Sequence, residues 1–258
     1  MVFFKDKRIR TLVLIMGVLV AIGLLIARSY YRSVNRAVDP RVIQARELYA
    51  QYNTLANYND FEQVFLLLDS IEQLYRAVPH YKRSFEVGVL YNNRGAAYLI
   101  MAMHHDSLNI KSVYLSQLSS DSLLRLARRA VNESIAIYTE WLAEYGDKTE
   151  QEIEDMLTGD FLIGLQGYEA EMIARYKKSR IKEIVDAREE TKRRLSVSYT
   201  NLGIIYRNLE EYELAAKQYQ KAIELWERNL VAENNLNLLL GRPMKKRNMI
   251  QKLFPPER

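Results

Sequence analysis

Residues 11–27 form an unbroken run of uncharged, mostly aliphatic positions. Beyond it, apolar residues return at three- and four-residue spacing, the period of helices with one buried face. Residues 42–55 and 61–75 carry that spacing, with residues 57–60 as the turn between them and Pro79 ending the second helix. After Gly146, Thr149 and Glu152 have the spacing of a capping box that opens a short acidic helix. Asp160 is placed to cap the next helix, whose Phe161, Leu162, Leu165, Tyr168, Met172 and Ile173 fall on one face. Charge dominates residues 177–194, where Ile181, Ile184 and Val185 are the strong apolar positions, and this stretch reads as an exposed helix running into residue 195. Residues 231–240 give a last helix, stopped by Gly241 with Pro243 behind it.

One stretch of this pattern occurs twice. Tyr199, Leu202, Gly203 and Tyr206 lie on one helix, and Ala215, Tyr219 and Ala222 follow on a second. The spacing is that of a two-helix hairpin with small residues at the crossing. Gly203 is expected to face Ala215, with Tyr206 and Tyr219 filling the volume beside them. The motif resembles the tetratricopeptide repeat, with Tyr199 at the family's usual Trp and Glu227 at its usual Pro. Tyr91, Asn93, Gly95 and Tyr98 echo Tyr199, Asn201, Gly203 and Tyr206, and Ala127 echoes Ala215. Gly95 and Ala127 are 32 positions apart where Gly203 and Ala215 are 12 apart, so an insertion of 20 residues, roughly 101–120, separates the helices of the earlier repeat. Arg94 also stands where the later repeat has Leu202.

The resemblance implies an all-α fold, an array of helical hairpins stacked as a solenoid. The expected order is a basic tail (1–10), a transmembrane helix (11–28), a polar stalk (29–40), and a degenerate hairpin plus the interrupted repeat (41–143). Connecting helices (144–194), the later repeat with a capping helix (195–241) and a second basic tail (242–258) complete it. The last helix resembles the one that closes such stacks, where an open repeat would expose its apolar face.

Charge sharpens this division. Residues 1–40 and 242–258 each carry a net +5, which leaves the body at −5. A mildly acidic body between basic ends does not fit a nucleic-acid-binding domain, whose charge belongs on a folded face. As a helix, the apolar run spans about 26 Å, close to the hydrocarbon core of a bilayer, with Arg10 and Arg28 able to snorkel and aromatic residues near both interfaces. A cleaved signal peptide is the alternative, but the run is long for one and Ala27-Arg28-Ser29 is a poor cleavage site. A single-pass membrane protein is therefore expected. A short basic tail before a first span stays in the cytoplasm, which in a bacterium gives an inner-membrane protein with a periplasmic body. The basic C-terminal tail could add contact with anionic lipid.

No catalytic constellation is present: there is no phosphate-binding glycine loop, no nucleophile elbow and no Cys. The sequence therefore implies neither an enzyme nor a cofactor. His104-His105-Asp106 is the only hint of a metal site, and adjacent helical residues diverge too far to share one ion, so a solvated loop is expected. The resemblance instead implies protein partners held on the concave face of the first helices. By that resemblance Asn93, Asn201 and Arg207 are candidate groove residues. An amide there can bind a peptide backbone, or it can tie one hairpin to the next, and both roles stand open. Tyr91, Gly95, Tyr98, Ala127, Tyr199, Leu202, Gly203, Tyr206, Ala215, Tyr219 and Ala222 are the expected packing set. The functional expectation is a membrane-anchored scaffold or adaptor that recruits or assembles a membrane complex. The rival is a permanent structural subunit of such a complex.

Overall fold

Helix is the only regular structure among the described residues, which in this computed structural model are 38–56, 60–105 and 113–246. The order is α1 (Ile43–Leu55), α2 (Phe61–Arg76), α3 (Phe85–Met103), α4 (Val113–Ser116), α5 (Ser120–Tyr145), α6 (Glu150–Met156), α7 (Gly159–Leu162), α8 (Ala170–Asn208), α9 (Tyr212–Leu225) and α10 (Leu230–Leu239). Short 3-10 turns at Pro40–Val42 and Pro79–Tyr81 precede α1 and α3. The expected membrane span, the tail before it and most of the stalk lie outside the described residues. Among the described residues no helix is long and apolar enough to cross a membrane.

Three hairpins make the frame: α1 packs on α2, α3 on α5, and the C-terminal part of α8 on α9. Their starts follow local chemistry. Asp60 caps α2 by accepting from the Gln63 amide, Ser119 caps α5 by accepting from the Ser122 amide, and Thr149 with Glu152 forms the expected capping box on α6. One core joins the first two hairpins and takes in Leu202 and Ile205 from α8. A second core gathers Trp141, Tyr145, Ile153, Phe161, Leu165, Tyr176 and Ile184, so the connecting segment is itself a packed unit.

Three expectations are corrected. Residues 161–173 are not one helix. The chain leaves α7 after Leu162, passes Gly164 in the left-handed region at φ +86°, and begins α8 at Ala170; Phe161 and Leu165 are buried while Leu162 and Tyr168 are exposed. Residues 177–194 are not a solvated helix, because Arg180, Ile184, Ala187 and Thr191 are buried. The stretch runs into residue 195 without a break: α8 spans 39 residues and is both connector and first helix of the later repeat. Within the 20-residue insertion α3 continues to Met103 and α5 starts at Ser120, which lengthens both arms of the hairpin, and Met101 is wholly buried.

The third correction lies at the crossings. A methyl group built on Gly203 would sit 2.5 Å from the Tyr219 ring, so Tyr219 itself lies over the glycine and Ala215 is not its nearest neighbour. At Gly95 the same methyl would meet Val131 Cγ2 at 2.5 Å and the Ala127 carbonyl oxygen at 3.3 Å. Val131 and Tyr219 are equivalent in the two repeats, so each glycine accommodates the same position of its partner helix.

Candidate functional site

The first helices of the hairpins, α1, α3 and α8, together with α10, are joined by a series of side-chain hydrogen bonds. Asn93 on α3 donates from Nδ2 to the Tyr49 hydroxyl on α1 at 3.3 Å. Asn201 on α8 donates to Asn92 Oδ1 on α3 at 3.2 Å, and the Ser198 hydroxyl donates to the same oxygen at 2.9 Å. Arg207 on α8 donates to Asn235 Oδ1 on α10 at 3.0 Å. The three groove candidates thus lie along one seam, each half-buried and each reaching an adjacent first helix or the cap. Asn92, which the sequence pattern did not single out, is the buried acceptor at the middle of this seam.

The packing set occupies the crossings. Ala127, Ala215, Tyr219 and Ala222 are wholly buried and Leu202 nearly so. Tyr98 stacks on Phe65 with ring centroids 4.4 Å apart, while Tyr206 is partly buried against the same core. Tyr199 packs on the small cluster around Tyr138, with the Lys221 ammonium 5.3 Å from its ring centroid. Tyr91 donates its hydroxyl to Glu72 at 2.7 Å; burial, together with this carboxylate, raises its pKa. Arg94 replaces the apolar residue of the later repeat because α2 brings it partners: it contacts Asp69 at 2.6 Å and Glu72 at 2.9 Å.

The later repeat closes on itself. Asn229 caps α10 through the Ala232 amide and donates back to Ser196 Oγ at 2.8 Å and Thr200 Oγ1 at 2.9 Å. Ser196 in turn donates to the Ala222 carbonyl at 2.6 Å. Donors and acceptors at the two ends of the repeat therefore satisfy one another inside the fold, where an unpaired polar group would cost about 1–3 kcal/mol.

A charged cluster between the same helices, α1, α3 and α8, was missed by sequence reasoning. The Arg180 guanidinium is 2% exposed, stands 4.3 Å from the Tyr81 ring centroid, and contacts Glu86 at 2.6 Å and Glu183 at 3.2 Å. Its Nε donates to His80 Nε2 at 3.0 Å, and Arg46 donates to both oxygens of Glu183. Burial alone would lower the Arg180 pKa, but Glu86, Tyr81 and Glu183 outweigh it and hold the value well above normal. Glu86, which burial alone would raise, is held below its usual range by Arg180. His80 is driven down to about 2 by burial and by the neighbouring Arg180 and Arg41, and stays neutral. This arrangement orders the junction of α3, α8 and the turn before α3.

At the start of the body, Asp39 accepts from the Arg41 amide and guanidinium, and Arg41 Nη1 donates to the Phe161 carbonyl at 2.7 Å and the Ile163 carbonyl at 2.5 Å. The end of the expected stalk is thus fixed to the body, and Asp39 is 3% exposed. His105 Nε2 lies 2.9 Å from the Leu118 carbonyl oxygen, and Asp106 falls outside the described residues. Among the described residues no group of His, Asp and Glu is placed to hold a metal ion.

No curated protein and no solved structure matches the chain. Residues 196–229, the stretch closed by Ser196, Thr200 and Asn229, match the family model of the tetratricopeptide repeat, a helical hairpin that generally mediates protein–protein interaction.

Proposed function

We infer that the chain is a membrane-anchored scaffold whose helical body holds a protein partner and so recruits or assembles a membrane-associated complex. The observation that carries this reading is the matched repeat at 196–229, set in a frame of three hairpins with a shared seam of first helices. Such a frame presents a broad, preformed surface, and a rigid surface loses little entropy when a partner docks. The apolar run at 11–27 supports the anchor. The fixed start of the body supports a defined position relative to it, because Arg41 clamps the chain against α7. Around that clamp Met156, Leu162, Ile163 and Tyr168 are exposed apolar residues, as suits a surface kept close to the bilayer.

The test is mild detergent extraction of the full chain, native sizing and identification of the proteins that co-migrate. A defined partner, lost when the 196–229 hairpin is unfolded by substitution but retained when the exposed Lys217 is changed, supports the scaffold. A chain that migrates alone, and that gives no cross-linked product in intact cells, overturns it.

A further inference from the structure

The chain folds back at its last helix. Gly241 adopts φ +66°, Arg242 returns an amide to the Asn237 carbonyl at 2.8 Å, and residues 242–246 then run back along α10. There Asn234 holds the backbone of Lys245 from both sides: its Oδ1 accepts from the Lys245 amide at 2.7 Å, and its Nδ2 donates to the Lys245 carbonyl at 3.0 Å. The Lys245 ammonium contacts Glu233 at 2.5 Å. No other hydrogen bond or ion pair holds residues 243–246 among the described residues, and all of them are exposed.

A carboxamide that pairs with both the amide and the carbonyl of one residue does what a neighbouring strand does, and it reads main chain rather than side chain. Glu233 beside it adds a preference for a cation. Val231 and Leu238 lie three and four positions from Asn234, on the same face of α10, and are 51% and 56% exposed. Met244, next to the held residue, is itself 64% exposed and does not cover them. The face therefore has a main-chain clasp, an anionic contact and apolar ground on either side, and the chain's own segment uses only the first two.

We propose that this face of α10 is a peptide-binding surface for an extended segment carrying Lys or Arg flanked by apolar residues, occupied in cis by residues 242–246, and that a partner segment binds by displacing them. The proposal deepens the scaffold reading by naming the kind of segment a partner would supply. It requires the partner to compete with a tethered segment, whose effective concentration is of millimolar order.

The probe is a fluorescent synthetic peptide of residues 242–250, titrated into the full chain and read by anisotropy. Lys245→Pro in the full chain removes both the amide that Asn234 accepts and the ammonium that Glu233 holds, without altering α10. Binding of the peptide is expected to tighten at least about tenfold in Lys245→Pro and to fall back when Asn234→Ala is added. Circular dichroism and melting temperature are compared across the three proteins, since Asn234 is a helix-surface position where Ala is well tolerated. Absence of tightening in Lys245→Pro, or tightening that survives Asn234→Ala, overturns the proposal. Because the probe is the chain's own sequence, this result stands apart from whether any protein partner is captured.

Discussion

At the scale of single residues, the two glycines at the crossings carry the most information. Replacing Gly by Ala inside a helix normally stabilises by about 1 kcal/mol, because glycine is the poorer helix former. Here the added methyl would meet the Tyr219 ring or Val131 at 2.5 Å, and both neighbours are wholly buried. Overpacking of this kind costs about 1–3 kcal/mol, so crowding outweighs propensity. Gly203→Ala and Gly95→Ala are therefore both expected to lower the urea midpoint, and Gly203→Leu to lower it further. Gly167→Ala, with no atom within 4 Å of its added methyl, is the control that does not lower the midpoint. A neutral Gly95→Ala would show that the lengthened hairpin does not keep this crossing. His80 gives a second prediction. Its pKa falls from 6.5 to about 2 on folding, so below pH 6.5 the unfolded chain binds a proton that the folded chain does not. The stability associated with the neutral ring is fully present above pH 6.5 and is lost progressively as the pH falls toward the folded value. Between pH 6.5 and 5 the melting temperature of the native chain is expected to drop more steeply than that of His80→Gln, which keeps an acceptor for Arg180. Equal slopes would place the ring in water.

At the scale of helices, what could be read in advance depended on how far apart the contributing residues lie. The repeat from Tyr199 to Ala222, the capping box at Thr149 and the stop at Gly241 were legible, because each is written in residues a few positions apart. The charged cluster was not. Arg180 sits in a stretch of Lys, Arg and Glu that reads as solvated surface, while its partners Glu86 and His80 arrive from nearly a hundred positions away. The break after Leu162 was hidden because Phe161, Leu165 and Ile173 still satisfy a helical period after the chain has turned. Asn93 and Asn201 stand between these cases: their recurrence was visible, and their hydrogen bonds were not. Each donates to the preceding first helix, so the pair predicts a thermodynamic signature. Asn93→Ala with Asn201→Ala removes two ties, leaving Asn92 short of one donor and Tyr49 short of its contact. The double variant is expected to melt several degrees lower, at about 0.5–1.5 kcal/mol for each net hydrogen bond lost. Unchanged melting with weakened partner binding would instead assign both amides to the partner. Binding and melting must be read on one sample, because binding alone falls in either case.

At the scale of the whole molecule, the proposed anchor predicts on which side of a membrane the body stands. Four cations at Lys5, Lys7, Arg8 and Arg10 precede the apolar run, and Arg28, Arg32, Arg36 and Arg41 follow it, so the flanking charge hardly favours either orientation. The N-terminal flank, however, is short and basic, and on that ground the proposed orientation keeps this tail in the cytoplasm and the body on the other side. The chain contains no Cys, so a single introduced thiol is an unambiguous reporter. Lys217→Cys places it on an exposed position of α9, and Val2→Cys places it ahead of the apolar run. An impermeant maleimide added to intact cells or spheroplasts is expected to label the Lys217→Cys chain at once and the Val2→Cys chain only after lysis. The opposite pattern would put the body in the cytoplasm and turn its seam toward cytoplasmic partners. Alkaline carbonate decides the prior question, since a protein held by a spanning helix stays in the pellet and one held by surface charge is released. A chain starting at Asp39 keeps the clamp between Asp39, Arg41 and α7, and should remain folded in the supernatant. Release of the intact chain by carbonate, or a mature protein beginning after Ser29, would remove the anchor and leave the hairpins as a secreted or peripheral binding unit.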